Sequence, residues 1–128
     1  MRTIRVAAAI IKKDKKILIA ERKKGEFAGL FEFPGGKIEN GETEKEAVIR
    51  EIKEELEVTI NVESHFMNVI HQYPTFTIDM ACFICTIEND NIKLNDHSSI
   101  RWINPNEDEI DWVPADIEVI NKIRERGI

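Results

Sequence analysis

The sequence predicts an α/β fold in which a mixed β-sheet is packed between helices. Three observations carry that expectation. Segments rich in Val, Ile, Phe and Thr alternate with stretches of helical periodicity, in the order strands, helix, strands, helix. No repeat, low-complexity tract or linker divides the 128 residues, so 1–128 is expected to form one domain. Hydrophobic residues make up 42% and charged residues 33%, the balance of a globular chain with its own core.

Residues 4–12 are rich in Val, Ala and Ile, and 16–22 alternate around Ile17 and Ile19; with Asp14 between them they read as a hairpin. A polar loop with Gly25 and Gly29 follows over 23–30, then a short strand over 31–33. Pro34-Gly35-Gly36 is expected to break all regular structure. Thr43, with Glu46 three positions later, is a capping box. It opens a helix over 44–56 whose apolar stripe is Val48, Ile49, Ile52 and Leu56.

Residues 59–72 and 76–87 read as long strands joined by Tyr73-Pro74-Thr75, and 99–103 as a short one. Pro114 suits a first helical turn and opens a last helix through 126, with Ile117, Ile120 and Ile123 expected to face inward. Cys82 and Cys85 form a C-x-x-C within a strand. A spacing of three on a strand sends side chains to opposite faces, so they read as buried core thiols, not a redox pair or half a zinc site.

Lys and Arg total 18 and Asp and Glu 24, a formal charge of −6. Such acidity argues against a protein that coats nucleic acid or lies on a membrane surface, both of which rely on basic patches. The longest strongly apolar run, 6–11, is too short to span a bilayer and is closed by Lys12 and Lys13, and it does not read as a signal peptide. A cytoplasmic monomer or homodimer is expected, with no nucleic-acid polymer and no membrane as partner.

The chemistry concentrates between 31 and 60. Glu51, Glu54 and Glu55 stand at i, i+3 and i+4, which gathers their carboxylates on one helix face. Like charges at that spacing destabilise a helix by a few tenths of about 1 kcal/mol per pair, so stability alone would have interleaved lysines. Hard oxygen ligands clustered this way suit magnesium or manganese. Arg50 lies between Glu46 and Glu54 at helical spacing, placed to orient a carboxylate. Gly35 and Gly36 let backbone approach a ligand closely, Lys37 adds a cation for phosphate, and Glu42 brings one more carboxylate to the start of the helix.

Gly36, five residues, Glu42, seven residues, Arg50-Glu51-Ile52, then Glu54-Glu55 and finally Val58 resemble the Nudix box, here spanning 36–58. The departure is Glu57, where the family pattern has Gly. The resemblance implies a mixed sheet between helices, with the box as a loop-helix-loop, and hydrolysis of a nucleoside diphosphate linked to another group. By resemblance, Glu54 and Glu55 match the metal-binding pair and Glu51 the carboxylate that binds metal or activates water. Gly36 matches a backbone-carbonyl ligand and Arg50 a structural arginine. A Glu just past a helix costs about 1 kcal/mol in the left-handed conformation and removes no ligand.

Outside the box, Phe31-Glu32-Phe33-Pro34-Gly35-Gly36-Lys37-Ile38-Glu39 resembles the MutT-type branch, which implies a nucleoside triphosphate substrate. The stretch 111–116 resembles the segment that carries a base-reading side chain, and Asp116 matches CTP pyrophosphohydrolase-like members. An ionised Asp accepts from cytosine N4 but does not donate as Asn does. Phe33 and Phe76 read either as core or as flanks for a base, and Arg22 or Lys23 as phosphate contacts. Asp96, six residues before Trp102, matches a further metal-binding or base-like carboxylate of the branch. His65, His71 and His97 have no ligand spacing and read as ordinary side chains.

The implied activity is a magnesium-dependent pyrophosphohydrolase (manganese being the other candidate) that turns 8-oxo-dGTP or CTP-type triphosphates into monophosphate and pyrophosphate. The alternatives are an ADP-ribose or sugar-nucleotide pyrophosphatase, since Pro74 lies 16 positions beyond Val58, and a non-catalytic nucleotide sensor.

Overall fold

The computed structural model describes residues 2–128. Strand β1 (Arg2–Lys13) and β2 (Lys16–Arg22) meet at a tight turn in which Asp14 and Lys15 both take positive φ, 52° and 65°. That is the primed hairpin geometry whose twist matches its strands, entered here without glycine. The two strands pair only at Lys12↔Ile17 and Lys13↔Lys16 and then diverge.

From there β1 runs parallel to β6 (Phe76–Ile87) from Arg2↔Phe76 to Ile11↔Cys85, and β6 pairs antiparallel with β5 (Ile60–Gln72). Strand β2 pairs with β3 (Phe31–Glu32) and with β7 (His97–Ile103). The order β3-β2-β1-β6-β5, with one parallel pair, is the expected mixed sheet.

Alternate residues of the central strands feed two cores. Ala8 and Ile10 of β1, with Met80, Cys82 and Ile84 of β6, face the layer covered by α2 (Pro114–Arg126). Ala7, Ala9 and Ile11, with Ala81, Phe83 and Cys85, face α1 (Glu44–Leu56). Cys82 and Cys85 thus lie buried on opposite faces, and burial pushes both thiols upward, Cys85 to about 12. Thiols held that way are poor nucleophiles and poor metal ligands.

The capping box is present: Thr43 Oγ1 accepts from Glu46 N–H and the Glu46 carboxylate accepts from Thr43 N–H at 2.8 Å. Val48, Ile52 and Leu56 are fully buried, and Ile49 is half-buried at the margin.

Two expectations are corrected. Gly35–Lys37 is not a break but a strand, β4, antiparallel to β1 through Ala7↔Gly36 and Ala8↔Gly35. A Cβ on Gly35 would lie 2.0 Å from the Ala7 carbonyl oxygen, so only glycine fits at this position. Ile117 does not face inward but is 46% exposed. Ile120 and Ile123 are buried as expected, and Ala115, Asp116 and Val119 complete the buried face of α2.

Candidate active site

A cleft of about 510 Å³ opens where β4, the edge of β2 and the start of α2 meet the loop before β7. Ten of the residues singled out from the sequence line it: Arg22, Lys23, Phe33, Gly35, Gly36, Lys37, Glu55, Phe76, Asp96 and Asp116. Arg50, Glu51 and Glu54 do not line it but adjoin it from α1. Pro74 sits on the exposed β5–β6 turn and is not a lining residue.

At the acidic end, α1 turns Glu55 inward until it is buried. It accepts a backbone hydrogen bond from Gly35, yet its Oε1 has no partner. Burial, then the charges of Glu51, Glu32 and Asp96, pushes this carboxyl up to about 8. A buried oxygen without a donor, among acids, is the electrostatic condition a cation relieves. Gly36 fits the same purpose: a Cβ there would lie 2.3 Å from Glu51 Oε2, so glycine is what lets the Glu51 carboxylate rest against the β4 backbone. The donor set is all oxygen, which suits a hard divalent ion.

The acidic face is not a finished metal centre. Among the described residues no three His, Cys, Asp or Glu side chains converge as one. The Glu54 side chain is 59% exposed and accepts from Arg50 Nη1 at 3.1 Å. The expectation of one gathered face is therefore corrected: i, i+3 and i+4 span enough of the helix for Glu55 to be buried while Glu54 meets solvent.

Arg50 is the hub of the loop-helix junction. It donates from Nε to Glu42 Oε2, from Nη2 to Glu42 Oε1 and the Lys37 carbonyl, both at 3.0 Å, and from Nη1 to Glu51 Oε1 at 2.8 Å. These bonds hold Glu42 down to about 2 and raise the guanidinium above its already high value. The placement of Arg50 between Glu46 and Glu54 holds for Glu54 only, because Glu46 is committed to the capping box.

The rim is basic, formed by Arg22, Lys23 and Lys37, with Lys24 beside them. Arg22 Nη1 donates to Glu32 Oε1 at 3.1 Å, and His97 Nε2 lies 2.9 Å from Glu32 Oε2. Sequence reasoning passed over this Glu32–His97 pair, whose members lie 65 positions apart, and His97 is a buried cleft residue. The available signal was Glu32 itself, a charge between two phenylalanines on a short strand.

Also lining the cleft, Asp116 is 3% exposed, and its Oδ1 accepts from Phe33 N–H at 3.1 Å. Burial, then Glu32, pushes this carboxyl well above the usual range. The expectation of an ionised acceptor is revised: burial favours the protonated group, which donates as well as accepts. Tyr73 supports the site, its hydroxyl accepting from Ala115 N–H at 3.0 Å in the first turn of α2. Phe33 is a core residue, 3% exposed and stacked on Trp112 at 5.3 Å, while Phe76 is half-buried and stacked on Tyr73 at 5.0 Å. Glu57 takes φ 55°, ψ 37°, the left-handed position the family fills with Gly.

Fold and site together define a hydrolase of the Nudix class, and the chain belongs to the Nudix family: the profile described as NUDIX domain matches residues 6–120. The chain is 32% identical over 122 residues to the CTP pyrophosphohydrolase of Escherichia coli K12, covering 94% of this chain and 90% of that protein. It is 34% identical over 85 residues to the 8-oxo-dGTP diphosphatase of Proteus vulgaris, covering 65% and 76%. Among solved structures it is similar to the MutT DNA mismatch repair protein, a Nudix hydrolase, of methicillin-resistant Staphylococcus aureus 252. The TM-score is 0.76 at 39% identity, with 99% and 100% of the chains covered. Members of the family generally use a divalent metal. No helix among the described residues is long and apolar enough to cross a membrane.

Proposed function

We propose that this chain is a magnesium-dependent nucleoside triphosphate pyrophosphohydrolase with a preference for CTP-type pyrimidine triphosphates. One observation carries the reading. A single cleft is lined by Glu55, whose Oε1 is partnerless, and Asp96, by Arg22, Lys23 and Lys37, and by buried Asp116. Acids for a cation, cations for phosphates and a hydrogen-bonding carboxyl for a base match a nucleotide's own parts. The likeness to the CTP pyrophosphohydrolase over nearly its whole length supports the pyrimidine.

In this reading the Gly36 carbonyl, Glu51, Glu54, Glu55 and Asp96 hold the metal. When bound, the ion neutralises the diphosphate and lowers the pKa of water. Arg50 fixes the Glu51 carboxylate through Oε1, leaving Oε2, beside Gly36, to take the proton of the attacking water. Lys23, Lys37 and the free face of Arg22 bind the phosphates. Asp116 meets the base edge, with Phe76 at the cleft wall. The water oxygen bonds to the β-phosphorus, the bond from that phosphorus to the α–β bridging oxygen breaks, and monophosphate and pyrophosphate leave. The protein acts in the cytoplasm as a monomer or homodimer.

A panel of nucleoside triphosphates, including 8-oxo-dGTP and 5-methyl-dCTP, with ADP-ribose alongside, tests the reading when products are resolved by chromatography. Monophosphate and pyrophosphate from a cytosine triphosphate are expected, and turnover of ADP-ribose alone would overturn the substrate class. Unchanged pyrophosphate release by Glu54→Gln and Glu55→Gln with magnesium would overturn the assigned roles.

A further inference from the structure

A helix leaves its last four carbonyls without intrahelical partners. In α1 these belong to Lys53, Glu54, Glu55 and Leu56, and all four are satisfied. Glu57 N–H donates to Lys53 O at 3.1 Å, and the loop between β6 and β7 supplies the rest. Asn95 Nδ2 donates to Glu54 O at 2.7 Å, Asn95 N–H to Glu55 O at 3.1 Å and Lys93 N–H to Leu56 O at 3.0 Å. The second hydrogen of the Asn95 amide goes to Glu57 Oε2 at 3.1 Å. Both partners of this nitrogen are pure acceptors, which fixes the orientation of the amide.

Two facts set this arrangement apart from an ordinary cap. The residue that follows Asn95 is Asp96, which lines the cleft and bears electrostatically on Glu55. The carbonyls that Asn95 takes belong to Glu54 and Glu55, the residues whose side chains face the cation in the reading above. A glycine at 57 would enter the left-handed conformation without strain, but it would offer Asn95 no acceptor.

We propose that Glu57 and Asn95 are positioning residues, a clasp that holds the β6–β7 loop on the end of α1 and so presents Asp96 to the cation bound beside Glu55. The inference rests on the placement of Asp96 and Glu55 at one ion. It gives Glu57 a task that the family's glycine does not perform.

The test is a double-mutant cycle read by binding of Mn²⁺ alone, followed by the paramagnetic resonance of the free ion, with amide hydrogen exchange on the metal-free protein. Asn95→Ala is expected to speed exchange at Lys93 and Asn95 and to weaken Mn²⁺ binding about tenfold, the effect typical of an outer-shell partner. In the Asp96→Asn background it should weaken binding no further, because the clasp acts through Asp96. Glu57→Gly, which suits the backbone and guards against a misfolded Asn95 variant, should reproduce both effects in smaller degree. Glu57→Gln, which keeps an acceptor, should restore both.

Equal weakening by Asn95→Ala with and without Asp96 would make the contact a structural cap and overturn the proposal. So would unchanged exchange and affinity in Asn95→Ala while Asp96→Asn still weakens binding. Unchanged Mn²⁺ affinity in Asp96→Asn itself would instead overturn the placement of Asp96, and the clasp with it.

Discussion

The Arg50 guanidinium grips the Glu42 carboxylate with two side-by-side hydrogen bonds, Nε to Oε2 and Nη2 to Oε1, the latter at 3.0 Å. This fork ties the loop that follows β4, the strand of Gly36 and Lys37, to the helix that carries Glu51, Glu54 and Glu55. Lysine has one charge point and no fork, so Arg50→Lys is not conservative here. It is expected to lower kcat by about tenfold or more through misplaced Glu51. Steady-state kinetics at saturating metal, with the circular dichroism unchanged, reads this out.

The same pair contributes to stability in acid. The Arg50 guanidinium, then the Glu39 N–H, holds the Glu42 carboxyl down at about 2 against the ordinary 4.5. A lowered carboxylate pKa contributes stability above the unfolded value and loses it as pH falls through the folded one. Urea midpoints should therefore drop between pH 4.5 and about 2. In Glu42→Gln that part of the decline should be absent.

The adjacent glycines separate fold from function. A Cβ on Gly35 meets the Ala7 main chain, which has nowhere to go, so Gly35→Ala should unfold the β1–β4 pairing and yield little soluble protein. The atoms nearest a Cβ on Gly36 all belong to the Glu51 side chain, not to main chain. Gly36→Ala should fold, melt close to the parent and lose most of its activity. Comparable melting of the two variants would contradict this.

Glu55→Gln should be more stable and less active at once. Burial pushes the parent carboxyl up to about 8 from the ordinary 4.5, so holding it there costs more stability as pH rises from 4.5 toward 8. Removing the charge is expected to add about 1–2 kcal/mol at pH 8 in the absence of metal and little at pH 4, measured by urea denaturation.

Asp116 should tolerate an amide better than its deletion. A protonated carboxyl and Asn share the ability to donate and accept, so Asp116→Asn should keep kcat/KM for a cytosine triphosphate within about tenfold. Asp116→Ala strips the proposed base contact and should cost about 1–3 kcal/mol in kcat/KM, that is about 5- to 150-fold, with kcat less affected.

Much of this was legible beforehand. The capping box and the 3.6-residue stripe announced α1 because those signals are local, and the glutamate spacing announced the acidic end. Gly35–Lys37 was illegible as a strand because two glycines and one lysine offer no apolar alternation to read. The Glu32–His97 pair was illegible because the two meet only when β3 and β7 both join β2. The charge state of Asp116 depends on burial among distant elements, which no local pattern encodes. Ile117 misled because isoleucines recur every three residues in α2 while the helix turns every 3.6, and the valine at 119 completes the true stripe.

The alternation of β1 and β6 between two cores has a consequence for how such an enzyme diversifies. Substitutions in the layer beneath α2, which carries Asp116, do not alter the side chains packed beneath α1. If Asp116 meets the base as proposed, small changes in one layer would retune which base is accepted, while the carboxylates carried by the other helix would stay in place.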